Sequence, residues 1–269
     1  MPRFALTLAL DGRGFNGTQV QGKGERTVAP VVASALAALA DPGAQHEPAV
    51  KLSSRLDAGV SAEGLVAEVA LDRGWPPVAL AHALNQRLPA DVACTAAALV
   101  PDDFDAIRWA VAKTYRFTVR VRAVRPVLDQ RCWWVRRLDH PELLPGLAAH
   151  LVGHHDLSGF AALRHDGRDG NDPHRTIHRA EWTVATDGEG RVLTFRISGS
   201  GFLYRQVRGL VGAMVFTAQD RGATPADFQA AIAAGRSARR IGKTAPPDGL
   251  VLERVEYGER EPPWQRATG

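Results

Sequence analysis

Ser53-Ser54-Arg55-Leu56-Asp57-Ala58-Gly59-Val60-Ser61-Ala62-Glu63-Gly64 runs directly into Leu65-Val66-Ala67-Glu68-Val69-Ala70-Leu71. The second stretch is apolar and short enough to read as a strand. The first is small and glycine-punctuated, with one carboxylate two residues after an arginine and two before a glycine. Asp57 therefore belongs on a tight loop between extended segments, close to solvent or ligand, where small side chains let another backbone or a substrate approach. On this stretch alone a turn-closing aspartate and a functional one are both open readings.

Towards the N-terminus, Phe4, Leu6, Leu8 and Leu10 alternate with Ala5, Thr7 and Ala9, a strand pattern. Asp11-Gly12-Arg13-Gly14-Phe15-Asn16-Gly17 then contains GxGxxG. A dinucleotide fingerprint opens a helix at once, so that pyrophosphate meets the helix N-terminus. Here Thr18-Gln19-Val20-Gln21-Gly22-Lys23-Gly24 follows, a second glycine-rich loop, so a flexible loop touching backbone or phosphate is the better reading. Thr27 caps a helix over 28–40, with Val28, Val31, Val32, Ala35, Leu36 and Leu39 on one face and Asp41-Pro42-Gly43 as its stop. Beyond the Asp57 loop and its strand, Pro76 or Pro77 opens a second helix that ends before Pro89, and 92–100 is a strand of small residues.

Lys113-Thr114-Tyr115-Arg116-Phe117-Thr118-Val119-Arg120-Val121 alternates most cleanly, with Tyr115, Phe117, Val119 and Val121 on one side. Tyr115 reads as a core residue whose hydroxyl finds a partner, or as the first of its row, at the rim and facing a cleft. A helical pattern over 143–152 holds Pro145, which marks its first turn or interrupts it. His154-His155-Asp156 invites a metal, but adjacent histidines rarely share one ion and no third ligand is spaced to help, so none is expected. Residues 164–174 read as a polar, mobile loop. Strand 192–198 is broken by Gly199-Ser200-Gly201, and a helix over 202–218 follows. Arg205 and Arg208 would share one flank near its start, as a solvated basic face or a phosphate contact. Thr224-Pro225 opens another helix, closed by Gly235; 250–257 is a last strand and the tail from 258 reads as loose.

Strand, helix, strand, helix, strand, strand, taken twice, predicts an α+β fold of two successive similar halves rather than a parallel barrel. The expected division is an N-terminal domain over 1–104 carrying the Asp57 loop, a C-terminal domain over 105–257, and a tail over 258–269, with the ligand in a central cleft.

Composition sets the remaining bounds. The chain has 269 residues, 45% hydrophobic and 23% charged, enough to bury a sizeable core. No run approaches the roughly 18 apolar residues of a membrane span, and the start lacks a signal-peptide pattern. Cys94 and Cys132 are far apart and without metal-ligand spacing, so reduced thiols in a cytoplasmic protein are expected. The formal charge is +4 and the isoelectric point about 9.4. Lys23, Lys51, Lys113 and Lys243 are the only lysines, so arginine carries nearly all the positive charge. Arginine suits bidentate phosphate contacts and base stacking, yet a bias towards Ala, Arg and Gly throughout the chain explains the excess equally well.

Taken in order, the motifs resemble those of TruA-type tRNA pseudouridine synthases over nearly the whole chain. The family's Arg-Thr-Asp-Ala-Gly-Val-His-Ala is matched by Arg55-Leu56-Asp57-Ala58-Gly59-Val60-Ser61-Ala62, and its Asp-Gly-x-x-Phe-x-Gly-x-Gln at Asp11, Gly12, Phe15, Gly17 and Gln19. Arg26-Thr27-Val28, Ala83-Leu84-Asn85 with Leu88-Pro89-x-Asp91, Lys113-x-Tyr115-Arg116-Phe117, His155-Asp156-Leu157-Ser158-Gly159-Phe160, Arg175-Thr176-Ile177, Phe202-Leu203-x-x-x-Val207-Arg208 and Thr244-Ala245-Pro246-x-x-Gly249-Leu250 are similar in the same order. The chain departs at Leu56 (threonine in the family), at Ser61 (histidine), at Phe104-Asp105-Ala106-Ile107 (Phe-His-x-Arg) and at Gly209 (asparagine).

The resemblance implies the pseudouridine synthase fold and isomerisation of uridine to pseudouridine just 3′ of the anticodon, in the anticodon stem-loop of tRNA. It implies a homodimer and no metal or organic cofactor. By the same resemblance Asp57 is the nucleophile, Arg55 its partner and Tyr115 the candidate general base. An ionised carboxylate is an acceptable covalent nucleophile, and a neighbouring arginine keeps it ionised against burial. Arg205 and Arg208, with Arg13 and Lys23 on the early loops, are the candidates for RNA-backbone contact. One rival is a glycoside or nucleoside hydrolase, which needs a second carboxylate as acid; Glu63 and Glu68 are near in sequence but sit in no supporting motif. The other is a non-catalytic RNA-binding or RNA-folding protein on the same fold.

Overall fold

The computed structural model describes residues 1–19, 24–39, 48–162 and 172–267. In chain order its regular elements are β1 (Arg3–Leu10), α1 (Val28–Ala37), β2 (Lys51–Leu52), β3 (Ser61–Ala70), α2 (Pro77–Asn85), β4 (Val92–Val100), β5 (Ala112–Val121), β6 (Trp133–Val135), α3 (Leu144–Ala149), β7 (Gly153–Asp156), β8 (His174–Thr186), β9 (Arg191–Gly199), α4 (Gln206–Ala218), α5 (Pro225–Ala234), β10 (Leu250–Glu256) and β11 (Gln265–Arg266). This is a mixed α/β chain with a mixed sheet. It divides into two compact units, Met1–Val111 with Val251–Gly269, and Ala112–Leu250.

The division differs from the expected one at 104/105. The boundary falls after Val111, and the last strand returns to the N-terminal unit. There β10 pairs in parallel with β3, Val251 opposite Ser61 and Leu252 opposite Ala62. Gly64 lies so close to β10 that a Cβ would meet the Glu253 carbonyl oxygen at 2.4 Å. Tyr257, just past β10, is buried and its hydroxyl donates to the Ala106 carbonyl at 3.0 Å. Periodicity marks 250–257 as a strand but says nothing about which sheet receives it.

In the N-terminal unit the strands run β11-β4-β1-β3-β10, with β2 sharing the β10 edge of β3. Central β1 is antiparallel to both neighbours: Leu6 stands opposite Ala67 of β3 and Ala97 of β4. Phe4, Leu6, Leu8 and Leu10 are buried as their alternation predicts; each such side chain contributes about 1.5–3 kcal/mol. From α1, Val28, Val32, Ala35 and Leu36 are buried, and from α2, Leu80, Ala81 and Leu84. α1 ends at Ala37 rather than 40, and its expected stop, 41–43, lies outside the described residues. The tail is not loose through 267: β11 pairs with β4, Gln265 opposite Ala97, and the Trp264 indole donates to Glu261 Oε1 at 2.8 Å. It covers a strand edge whose amides and carbonyls would otherwise be unpaired on that side.

In the second unit β5-β9-β8-β7 form an antiparallel series, with β6 parallel to β5. Phe117 and Val119 of β5, Leu193, Phe195 and Ile197 of β9, and Ile177 and Trp182 of β8 are buried. α4 is buried around nearly its whole circumference, with only Phe216 partly exposed among its residues; a helix apolar all round belongs inside a core. Pro145 falls in the first turn of α3, after a 3₁₀ turn over Pro141–Leu143. α5 opens on a capping box between Thr224 and Asp227, as Thr224-Pro225 predicts.

His154, His155 and Asp156 lie on strand β7, and the His154 ring stacks on His174 with centroids 5.4 Å apart and planes at 11°. Among the described residues no three His, Cys, Asp or Glu side chains gather as a metal site. Of the loop expected over 164–174, residues 164–171 lie outside the described residues, and His174 begins β8. Among the described residues no helix is long and apolar enough to cross a membrane. Both cysteines are free and buried, and burial pushes the Cys94 thiol up to about 12 and the Cys132 thiol up to about 11.

Candidate active site

The Asp57 loop is a hairpin connection between β2 and β3 whose root is tied by Ser53. The Ser53 amide donates to the Val66 carbonyl at 2.8 Å, and the Val66 amide donates back to Ser53 Oγ at 3.1 Å. At the tip, Asp57 to Val60 form a β-turn closed by the Val60 amide on the Asp57 carbonyl at 3.1 Å. Gly59, its third residue, has φ +82°, which a type II turn requires and glycine adopts without strain. A turn of this kind leaves the Asp57 side chain half-exposed and Arg55 exposed, while Leu56 and Val60 between and beyond them are buried.

The glycine-rich first loop clasps this hairpin from the other side. The Gly12 amide donates to Ser61 Oγ at 3.0 Å, and a Cβ on Gly12 would sit 2.0 Å from the Val60 carbonyl oxygen. Phe15 accepts from the Gly59 amide at 3.2 Å through its carbonyl. Gly17, at φ +95°, brings its Cα so close to Leu56 that a Cβ would meet the Leu56 carbonyl oxygen at 2.8 Å. Thr18 pairs with Leu56: its amide donates to the Leu56 carbonyl at 3.3 Å, and its Oγ1 accepts from the Leu56 amide at 3.0 Å. GxGxxG is here a backbone-to-backbone seam, with glycines where another chain segment passes, and not a phosphate cradle.

The clasp is itself braced. Arg26 makes a two-pronged ion pair with Asp91, at 2.7 and 2.9 Å, and its guanidinium lies 4.0 Å over the Phe15 ring. The hydrogen bond from Arg26 holds the Asp91 carboxyl below its usual range. The Asp11 amide donates to the Asp91 carbonyl at 3.0 Å, and Asp11 in turn pairs with exposed Arg13 at 2.5 Å. Asn85 completes the support: its side-chain amide donates to the Cys94 carbonyl at 2.8 Å and its Oδ1 accepts from the Cys94 amide at 2.7 Å, acting as a strand partner for β4. α1 joins the same assembly: Thr27 makes no side-chain cap, and the first helical amides donate instead to the Gly17 and Thr18 carbonyls at 3.2 and 3.1 Å.

The departures from the motif pattern have physical consequences. Ser61 supplies the acceptor that fixes the start of the first loop. Asp105 accepts from the Ile107 and Arg108 amides, both at 2.9 Å, and pairs with Lys51 at 2.7 Å. Burial opposes its charge, but Lys51 and the two amides outweigh it and hold the carboxyl at about 2. Ile107 is exposed. Gly209 is required by packing, because a Cβ there would lie 1.8 Å from the Phe160 carbonyl oxygen.

Tyr115, Arg205 and Arg208 belong to the second unit, and Asp57, Arg55 and Arg13 to the first; Lys23 lies outside the described residues. Tyr115 is 8% exposed, stands opposite Ile197 in the β5–β9 ladder, and meets the Phe202 ring edge-on at 5.3 Å. Lys113, two residues earlier on the same side of β5, has its ammonium pushed down to about 8 by burial. The two arginines do not share a helix flank. α4 starts at Gln206, so Arg205 precedes it in the left-handed conformation (φ +58°), exposed, with its guanidinium 4.9 Å over the Tyr204 ring. Arg208 is 9% exposed and its Nε donates to the Ala245 carbonyl at 2.8 Å, while the Ala245 amide donates to the Arg208 carbonyl at 3.0 Å. The motif residues Val207-Arg208 and Thr244-Ala245-Pro246 thus meet.

Sequence reasoning overlooked Thr18, Asn85 and the Arg26–Asp91 pair as supports. Arg26, Asn85 and Asp91 are marked only by the motifs they belong to, and Thr18 only as a polar side chain beside a glycine-rich run.

Comparison with known proteins gives the same direction. Residues 147–258 match the family model described as tRNA pseudouridine synthase. The chain is 35% identical over 271 residues to the tRNA pseudouridine synthase A of Agrobacterium fabrum, covering 99% of this chain and 96% of that protein. It is 38% identical over 265 residues to that of Myxococcus xanthus, covering 97% and 94%, and 37% identical over 260 residues to that of Paracoccus denitrificans, covering 96% and 97%. With such identity sustained along the chain, it belongs to the tRNA pseudouridine synthase A family of isomerases.

Proposed function

We propose that this protein isomerises uridine to pseudouridine in the anticodon stem-loop of tRNA, at uridines just 3′ of the anticodon, with Asp57 as nucleophile. The observation that carries the reading is the placement of Asp57: a half-exposed carboxylate at the tip of a turn whose backbone is tied on both sides. Such a turn holds a reacting group in one orientation, which is worth several powers of ten in rate.

The reaction breaks the bond between C1′ and N1 of the uridine, turns the ring, joins C5 to C1′, and transfers the C5 proton away while N1 regains one. Asp57 attacks C1′ as the C1′–N1 bond breaks and holds the sugar as an ester while the detached uracil turns; C5 then attacks C1′ and displaces the carboxylate. Exposed Arg55, two residues before it, is the partner of Asp57 on the same loop. Tyr115 offers a ring on which the uracil stacks and a phenolic oxygen as general base for the C5 proton. To reach Asp57 the uridine leaves its stack, which costs a few kcal/mol and least in a loop or at a stem end. Arg205 and Arg13, both exposed, contact the RNA backbone together with Lys23, reading shape rather than base sequence, whereas Arg208, buried on the Ala245 carbonyl, is not among the contacts. A homodimer and a cytoplasmic location complete this reading.

The test follows tritium release from tRNA labelled at uridine C5. Asp57→Asn removes the charge and keeps the shape, so release stops while tRNA affinity stays within about threefold of the unaltered protein. Undiminished turnover by Asp57→Asn refutes the nucleophile. An unaltered protein that binds tRNA and releases no tritium is an RNA-binding protein on this fold.

A further inference from the structure

Thr18 is 1% exposed and each of its polar groups is engaged. Its amide donates to the Leu56 carbonyl at 3.3 Å and its carbonyl accepts from the Ala29 amide of α1 at 3.1 Å. Its Oγ1 accepts from the Leu56 amide at 3.0 Å and donates to the Ser54 carbonyl at 3.4 Å. In an antiparallel pair, opposed residues exchange two backbone hydrogen bonds. Here the Thr18 carbonyl is turned towards the start of α1, and the hydroxyl stands in for it as the acceptor of the Leu56 amide.

We propose that Thr18 is a positioning residue for the reaction: its hydroxyl sets the direction of the backbone that presents Arg55 and Asp57. The two hydroxyl bonds, on Ser54 and Leu56, straddle Arg55, and the peptide after Leu56 carries Asp57. Rotation of the 54–56 backbone therefore moves both side chains. The anchor is α1, a helix fixed by buried Val28, Val32, Ala35 and Leu36. Thr18 connects that rigid body to the turn through one side chain that both donates and accepts. Gly17 leaves no alternative nearby, since any side chain there would collide with the Leu56 carbonyl. Without the hydroxyl, a buried amide and a buried carbonyl lose their partner, and the 54–57 segment gains freedom to turn towards other partners.

This inference rests on Asp57 being the nucleophile, and the experiment separates the two. Full-length Thr18→Val keeps the volume and loses both hydroxyl bonds; Thr18→Ser keeps the hydroxyl. Single-turnover tritium release by folded Thr18→Val is expected to slow by about 10²-fold, with tRNA affinity within about threefold, and Thr18→Ser to regain most of the rate. Wild-type rate in folded Thr18→Val overturns the proposal, as does an equal loss in Thr18→Ser. Amide exchange in the unaltered protein gives a readout independent of activity and of whether Thr18→Val folds. A Leu56 amide as slow as those of β3 supports the clasp; one as fast as an exposed loop amide overturns it. An unaltered protein that releases no tritium defeats the Asp57 reading alone, and the exchange result still judges the clasp.

Discussion

Asp57 and Tyr115 are presented in opposite ways. Asp57 sits on a hairpin loop outside any ladder, held by groups that arrive from residues 12, 15, 18 and 61. Tyr115 sits inside β5, where pairing with β9 from Lys113–Gly199 to Val121–Arg191 fixes its place and the Phe202 ring steadies it. A strand needs register and one buried face. A loop needs many separate ties, each worth about 0.5–1.5 kcal/mol, and each free to fail alone. Damage to the loop should thus appear first in rate, and damage to the strand's surroundings first in stability.

The sharpest way to break that contrast is Tyr115→Phe, which takes away the hydroxyl and keeps the ring against Phe202. Activity is expected to fall by about 10²–10⁴-fold with little change in melting temperature; a lowered melting temperature with activity kept makes Tyr115 a core residue only. Next comes Gly209→Ala in α4. Alanine favours a helix over glycine by about 1 kcal/mol, but its Cβ would lie 1.8 Å from the Phe160 carbonyl oxygen. The collision wins, and urea titration should show a net loss of about 2–3 kcal/mol. Asn85→Ala leaves the Cys94 amide and carbonyl without their partner. It should cost about 1–2 kcal/mol, read in the same titration, and disturb the clasp only through β4.

The last effect expected is on pH dependence. Burial lowers the Lys113 ammonium from 10.5 to about 8 in the folded protein. Between those values the unfolded chain binds more protons than the folded one, so this group makes stability rise as pH increases through that window. Lys113→Met should remove that rise, seen as a flatter urea midpoint between pH 8 and pH 10. An unchanged slope would place the lysine in water.

Alternation made β1, β5 and β9 legible, small residues marked β4, and the small, glycine-marked run around Asp57 announced a loop between extended segments. Those features depend on neighbours in sequence. The start of α4 was misplaced because Phe202 and Leu203 fit its apolar stripe, while the left-handed backbone at Arg205 that delays the helix leaves no trace in composition. Arg208 reads from sequence as a surface cation, and only the fold reveals the Ala245 carbonyl that receives it. The return of β10 to the first unit and the docking of β11 on β4 are long-range choices that no local pattern encodes. Family motifs named Asp11, Gly12, Arg26, Asn85 and Asp91 without saying what they do; they prove to be the scaffold of one loop.

The parallel pairing of β10 with β3 has a consequence for the order in which the protein is made. Ser61 and Ala62, the residues into which the Asp57 turn descends, gain their partners Val251 and Leu252 only after residues 112–250 have been made. The whole of the second unit emerges from the ribosome in between. A nascent chain that has completed residues 1–111 still lacks the strand that flanks the foot of its own turn. Synthesis therefore sets a clock: the strand beside the foot of the turn arrives only after the second unit has been made.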